Sequence, residues 1–168
     1  PKPIIIYNVP SRTGCNMLPE TVARIADSCP NVTGIKEASG NISQVAKLAS
    51  LVGDRLDIYS GNDDQIVPVM SLGGSGVISV LANLLPKNIH DITKEMLNGD
   101  YISAKDAQLS YEKLIEKLFT EVNPIPVKAA LNLMGKEVGP LRMPLSEMED
   151  ANKAKLAEEL KNFGIKLA

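Results

Sequence analysis

Histidine occurs once in this chain of 168 residues, as His90, and cysteine twice, as Cys15 and Cys29. Two cysteines are too few for a disulfide framework, and no Cys/His spacing of a metal site accompanies them, so a metal mechanism has no support in the sequence. A basic surface is also missing. Lys and Arg number 18 against 20 Asp and Glu, a net charge of −2, which excludes nucleic acid and acidic membranes as natural partners. No apolar run reaches the length of a bilayer span. The first residues lack an initiator methionine and the basic, apolar and cleavage regions of a signal peptide. The expectation is a reduced, cytoplasmic protein whose sequence starts in the middle of a longer chain. At 44% hydrophobic and 23% charged, the composition is that of an ordinary globular domain with a real core.

Taken in order, the chain alternates. Ile4 to Tyr7 is a continuous apolar run, as in a strand covered on both faces. A turn-rich loop, Asn8 to Gly14, leads to a helix that opens at Pro19 and stops before Pro30. Val32 to Lys36 is the second strand. Asn41 and Gln44 form a capping-box pattern for a helix ended by Gly53. Leu56 to Ser60 is the third strand, and Gly61-Asn62-Asp63-Asp64 leads into a helix carrying Ile66, Val67, Val69, Met70 and Leu72. Gly73-Gly74-Ser75-Gly76 precedes the fourth strand, Val77 to Val80, and a helical pattern resumes after Pro86 to end near Gly99. That glycine cluster lies on the wrong side of its strand for a dinucleotide-binding turn, so it reads as a tight helix-to-strand connection.

Four such repeats with short connections argue for parallel strands with helical crossovers, the α/β class. The version that fits is half of a (β/α)8 barrel over residues 1–99, followed by a helical extension over 100–168. In the extension, Tyr101 to Thr120 reads as one long amphipathic helix. Asn123-Pro124-Ile125-Pro126 breaks it, Val127 to Met134 forms a further helix, and Ser146 with Glu149 caps the last one, which runs to Gly164.

A barrel of this kind puts its chemistry at the carboxyl ends of the strands, where Tyr7, Lys36, Ser60 with Gly61, and Ile78 with Ser79 fall. Lys36 closes a β-branched run, an unusual place for an ammonium. It is either a rim residue that snorkels its charge to water or an amine made nucleophilic by desolvation. Tyr7 either plugs the barrel mouth or relays protons for an amine that condenses with a ketone. Arg12 forks onto a substrate carboxylate or is simply a surface cation. Asp63 and Asp64 read as helix-start carboxylates favouring the positive helix end, His90 as a surface residue, and Met70, Met96 and Met134 as core.

Five stretches, Tyr7 to Gly14, Gly34 to Asn41, Ser60 to Asp63, Gly76 to Val80 and Asn123 to Lys128, together resemble the dihydrodipicolinate synthase family of pyruvate-dependent class I aldolases. The likeness runs from the first residue to about Gly164. It implies that Lys36 forms a Schiff base with pyruvate, that Tyr7 relays protons, and that Arg12 binds the carboxylate of aspartate semialdehyde. Gly61 and Ile78 match backbone positions lining the pyruvate pocket. The implied chemistry uses no metal and no cofactor beyond the lysine–pyruvate imine, and belongs to lysine and diaminopimelate biosynthesis. Ser11-Arg12-Thr13-Gly14 favours the synthase over sibling N-acetylneuraminate lyases and keto-acid aldolases. A third possibility is a non-catalytic fragment that associates with its other half. Family members carry four further strands before the point where this sequence starts, so the expected partners are that missing half or a homo-oligomer, besides the small-molecule substrates. Four strands alone would leave open edges and an uncovered face.

Overall fold

The computed structural model describes residues 2–168. Four strands, β1 (Ile4–Asn8), β2 (Val32–Glu37), β3 (Asp57–Ser60) and β4 (Gly76–Val77), form one parallel sheet in the order β1-β2-β3-β4. A short helix α1 (Pro10–Thr13) and α2 (Pro19–Ser28) connect β1 to β2, α3 (Ile42–Val52) connects β2 to β3, and α4 (Ile66–Ser71) connects β3 to β4. The helices α5 (Pro86–Leu97), α6 (Tyr101–Ser110), α7 (Glu112–Leu118), α8 (Ile125–Leu133) and α9 (Asp150–Asn162) follow. These are four βα units, half the number that closes a (β/α)8 barrel.

The two faces of the sheet differ because side chains alternate along each strand. Ile35 and Ile58 point to the helices and are fully or almost fully buried with Val22, Val45, Leu48 and Val52. Burial of each such side chain contributes about 1.5–3 kcal/mol. Ile5 and Tyr7 point to the opposite face, where they remain 48% and 52% exposed. A continuous apolar strand run, expected from β1, is here covered on one side.

A second core runs from Met70, Leu81, Ile89 and Ile92 into Ala104, Leu114, Leu118, Leu156 and Leu160, so it joins the last barrel unit to the extension. One polar link supports this junction. The buried Gln108 on α6 accepts a bond from Val67 N at 2.7 Å and donates to Asp64 O at 2.9 Å. It therefore satisfies an N–H in the first turn of α4 that has no partner within its own helix.

Several elements depart from the sequence expectation for identifiable reasons. The long helix over 101–120 is divided at Tyr111, whose ring lies 5.0 Å from that of Phe163 and whose hydroxyl accepts from Asn88 Nδ2 at 2.8 Å. The division lets α6 pack against α5 while α7 packs against α9. The fourth strand ends at Val77 rather than Val80, because Asp63 Oδ2 takes Val80 N and Leu81 N at 3.1 and 3.0 Å and turns the chain. Asp63 thus serves the exit of β4 rather than only the start of its own helix. The last helix starts at Asp150, and Ser146 does not cap it. Glu121 Oε1 instead receives Glu149 N and Asn152 Nδ2. Only half of the Asn41/Gln44 box forms: Gln44 N bonds Asn41 Oδ1 at 3.1 Å, and the Gln44 side chain turns elsewhere.

Substitution of a residue on each face should separate them. Leu48→Ala is expected to lower stability by about 2–5 kcal/mol in urea denaturation. Ile5→Ser, on the open face, is expected to stay within about 0.5 kcal/mol. An equal loss for both would mean that the face bearing Ile5 is packed.

Candidate functional site

Register places the candidate groups. Tyr7 on β1 pairs with Lys36 on β2, and Lys36 pairs with Tyr59 on β3, so these residues form one row across the sheet on its open face. The Lys36 ammonium lies 4.3 Å from the centroid of the Tyr7 ring. Aromatic faces attract cations at this distance. Lys36 is half-buried and forms no ion pair among the described residues. An amine held against a phenol supplies the two kinds of group that carbonyl addition with proton transfer requires.

Tyr59 is absent from the sequence candidates. Its ring lies over glycines on both neighbouring strands: a Cβ on Gly34 would make ordinary contact with Tyr59 Cε2 at 3.5 Å, and one on Gly76 with Cδ1 at 3.9 Å. The visible signal is that Tyr59 has the same strand phase as Lys36, with Lys36 and Gly76 as its register partners.

The next row up is buried behind the sheet. Asn8, Glu37 and Ser60 pair in register and are 2%, 3% and 0% exposed. Ser60 Oγ and the backbone of Asn62 bond each other, which closes the turn after β3. Gly61 N donates to Glu37 O at 2.7 Å, an approach so close that a Cβ at Gly61 would stand 2.5 Å from Ala38 Cβ. Ile78 N donates to Ser60 O at 2.9 Å, so Gly61 and Ile78 both lie at the carboxyl end of the sheet.

Among the described residues Arg12 forms no hydrogen bond with Lys36 or Tyr7. Its Nη2 donates to Asn123 O at 3.2 Å, linking α1 to the segment before α8. It lines a surface cavity of about 450 Å³ with Ser11, Phe119 and Val122. A neighbouring cavity of about 520 Å³ runs between Ala38, Asp63, Asp64 and the α7 residues Glu112 and Glu116. Burial, aided by the Asp63 charge, raises the Asp64 carboxyl above its usual value of 3.8. His90 lies on α5, Met70 is in the core and Met96 and Met134 pack against it. No group of His, Cys, Asp and Glu able to hold a metal occurs among the described residues, and no helix there is long and apolar enough to cross a membrane.

A sequence profile of the dihydrodipicolinate synthetase family matches residues 1–163. The 4-hydroxy-tetrahydrodipicolinate synthase of Lachnoclostridium phytofermentans is 59% identical over 163 residues, which is 97% of this chain and 55% of that protein. The dihydrodipicolinate synthase of Aquifex aeolicus superposes with a TM-score of 0.95 at 36% identity, covering 98% of this chain and 56% of that one. The dihydrodipicolinate synthase of Acinetobacter baumannii in complex with pyruvate superposes at 0.93 and 36% identity, with coverage of 98% and 56%. The chain spans about half the length of the curated relatives it matches.

The raised carboxyl of Asp64 has a definite sign. In the window above 3.8 the folded chain holds its proton more tightly than the unfolded chain, so this group loses stability as pH rises through that window. Asp64→Asn is therefore expected to melt slightly higher than the parent at pH 7, with the gap closing as pH falls towards 3.8. A gap that is constant with pH, measured by thermal denaturation, would contradict this reading; the exposure of Asp64 to solvent keeps the effect small.

Proposed function

Because the chain belongs to the dihydrodipicolinate synthetase family, we propose that it supplies the Schiff-base half of a synthase condensing pyruvate with L-aspartate 4-semialdehyde, in lysine and diaminopimelate biosynthesis. The observation that carries this reading is the Lys36 amine held 4.3 Å from the Tyr7 ring on the open face of a parallel sheet. Lys36 Nζ adds to the pyruvate ketone carbon, and the carbinolamine loses water to give an iminium. The Tyr7 oxygen, deprotonated by giving its proton to the departing water, takes a methyl proton to yield the enamine, whose carbon attacks the aldehyde of the second substrate as Tyr7 protonates the new oxygen. The substrate's own amine or water then displaces Lys36 from the imine. Tyr7 relays the protons that enter and leave oxygen and nitrogen in these steps. The reaction runs through the covalent imine and draws on no metal.

Gly61 and Ile78 contribute backbone at the mouth of the site, where Gly61 has no room for a side chain. Arg12 supplies a guanidinium for the semialdehyde carboxylate once the Asn123 carbonyl is exchanged for substrate. The division near residue 100 separates the barrel units from a helical extension that buttresses them. Ile5, Tyr7 and Ile78 are themselves 40% to 52% exposed. The surface that fits over the open face is the other half of the barrel, which the full-length relatives carry. The setting is the cytoplasm.

Borohydride reduction in the presence of pyruvate is expected to leave a stable mass increase on Lys36, absent from Lys36→Ala. Tyr7→Phe is expected to slow trapping by about 10²-fold or more. No adduct on wild-type Lys36 would overturn the synthase reading. Arg12→Ala is expected to spare pyruvate trapping and raise KM for the semialdehyde; equal effects on both substrates would remove its assigned role. In sedimentation and thermal melting, a compact, fully cooperative monomer of these 168 residues would contradict the need for a covering half.

A further inference from the structure

Directly behind the reactive pair lies a polar cluster that the proposed mechanism does not use. Glu37 is 3% exposed and carries no cation among the described residues. Asn8 Nδ2 donates to its two oxygens at 3.2 and 3.0 Å, Ser39 N donates at 2.7 Å, and Gln44 Nε2 at 3.3 Å. Asn8 is fixed from other directions as well. Its Nδ2 reaches Asn16 Oδ1 at 3.0 Å, its Oδ1 accepts Met17 N at 3.0 Å, and its carbonyl accepts Ala38 N at 2.9 Å.

A carboxylate buried without a cation is a costly choice for mere packing, since apolar residues of similar volume would fill the same space. What the polar pair offers instead is direction. Asn8 follows Tyr7, Glu37 follows Lys36, and Asn8 and Glu37 are register partners just as Tyr7 and Lys36 are. Successive side chains on a strand point to opposite faces. A bond that fixes the relative twist and height of Asn8 and Glu37 on one face therefore fixes how Tyr7 and Lys36 converge on the other. We infer that Asn8 and Glu37 are positioning residues whose hydrogen-bonded pair sets the approach of the Lys36 amine to the Tyr7 phenol. This inference rests on the assignment of Tyr7 and Lys36 as the reactive pair.

The test reverses the pair. Glu37→Gln keeps one acceptor oxygen but turns the other into an NH2 that faces the Asn8 and Gln44 donors, and Asn8→Asp alone faces one carboxylate with another, whereas the double variant sets the new amide's NH2 opposite the new carboxylate. Each single variant is expected to slow pyruvate trapping at Lys36 at least tenfold and to displace the pH midpoint of trapping, and the double variant to recover most of both. A second readout is independent of pyruvate. Reductive 13C-methylation gives a Lys36 methyl resonance, identified by its loss in Lys36→Arg, that the Tyr7 ring shifts and Tyr7→Leu releases. The single variants are expected to lose that ring shift, and the double variant to regain it.

Folded single variants with wild-type trapping rate, pH midpoint and ring shift, differing only in a lower melting temperature, would overturn the inference. So would a double variant no better than either single one. Wild-type protein that shows the ring shift but traps no pyruvate defeats the synthase reading and leaves the positioning role to be decided by the methyl resonance. If the single variants do not fold, Gln44→Met removes one donor to Glu37 from the exposed end of α3. It is expected to slow trapping about threefold and weaken the ring shift, and no change in either overturns the inference.

Discussion

Parallel pairing of β1 with β2 in a single register is the constraint on which the rest depends. It sets Tyr7 beside Lys36 on one face and Asn8 beside Glu37 on the other. A slip of one residue in either strand would exchange the faces, burying an ammonium among Val45 and Leu48 and exposing a carboxylate to the opposite side. Chemistry and packing are thus tied to the same ladder of backbone bonds. The helices contribute by making one register far more favourable than its neighbours, because only that one puts Ile35 and Ile58 in the apolar layer.

The extension acts on the same sheet from its far end. Gln108 reaches the first turn of α4, and Leu114 and Leu118 share a core with Leu81 and Ile89. Arg12 and Asn123 join the loop after β1 to the segment ahead of α8. The loops at the carboxyl ends of the strands are accordingly held between the sheet below and α7 above. Loops anchored in this way keep functional groups in place at little entropic cost on binding.

Much of this was legible in the sequence because it is local. Strand and helix alternation follows from apolar periodicity and from Pro19, Gly53 and Pro86 as punctuation, and the delivery of Tyr7, Lys36, Gly61 and Ile78 to one end follows from that alternation. What escaped is what requires a partner far along the chain. Asp63 looks like a helix-start residue until Val80 and Leu81 come to it from 17 and 18 positions away. Ser146 has the right spacing for a cap, yet Glu121 takes that role from 28 positions before Glu149. The long helix over 101–120 is divided at Tyr111, held by Asn88 and Phe163, and its apolar stripe departs at Leu109, which is exposed while Gln108 is buried. Glu37 sits inside the Gly34 to Asn41 stretch and Tyr59 just ahead of Ser60 to Asp63, yet only register assigns them their neighbours.

The open face on which Lys36 stands also has a kinetic meaning. Water that reaches the amine would reach the carbon of any imine formed on it equally well, so the exposure that would admit a carbonyl compound would also shorten the life of the adduct. A barrel wall opposite Lys36 would slow hydrolysis without touching the amine itself. Imine lifetime is in this sense a gauge of enclosure: it would lengthen in step with how completely another surface shuts solvent away from the row of Tyr7, Lys36 and Tyr59.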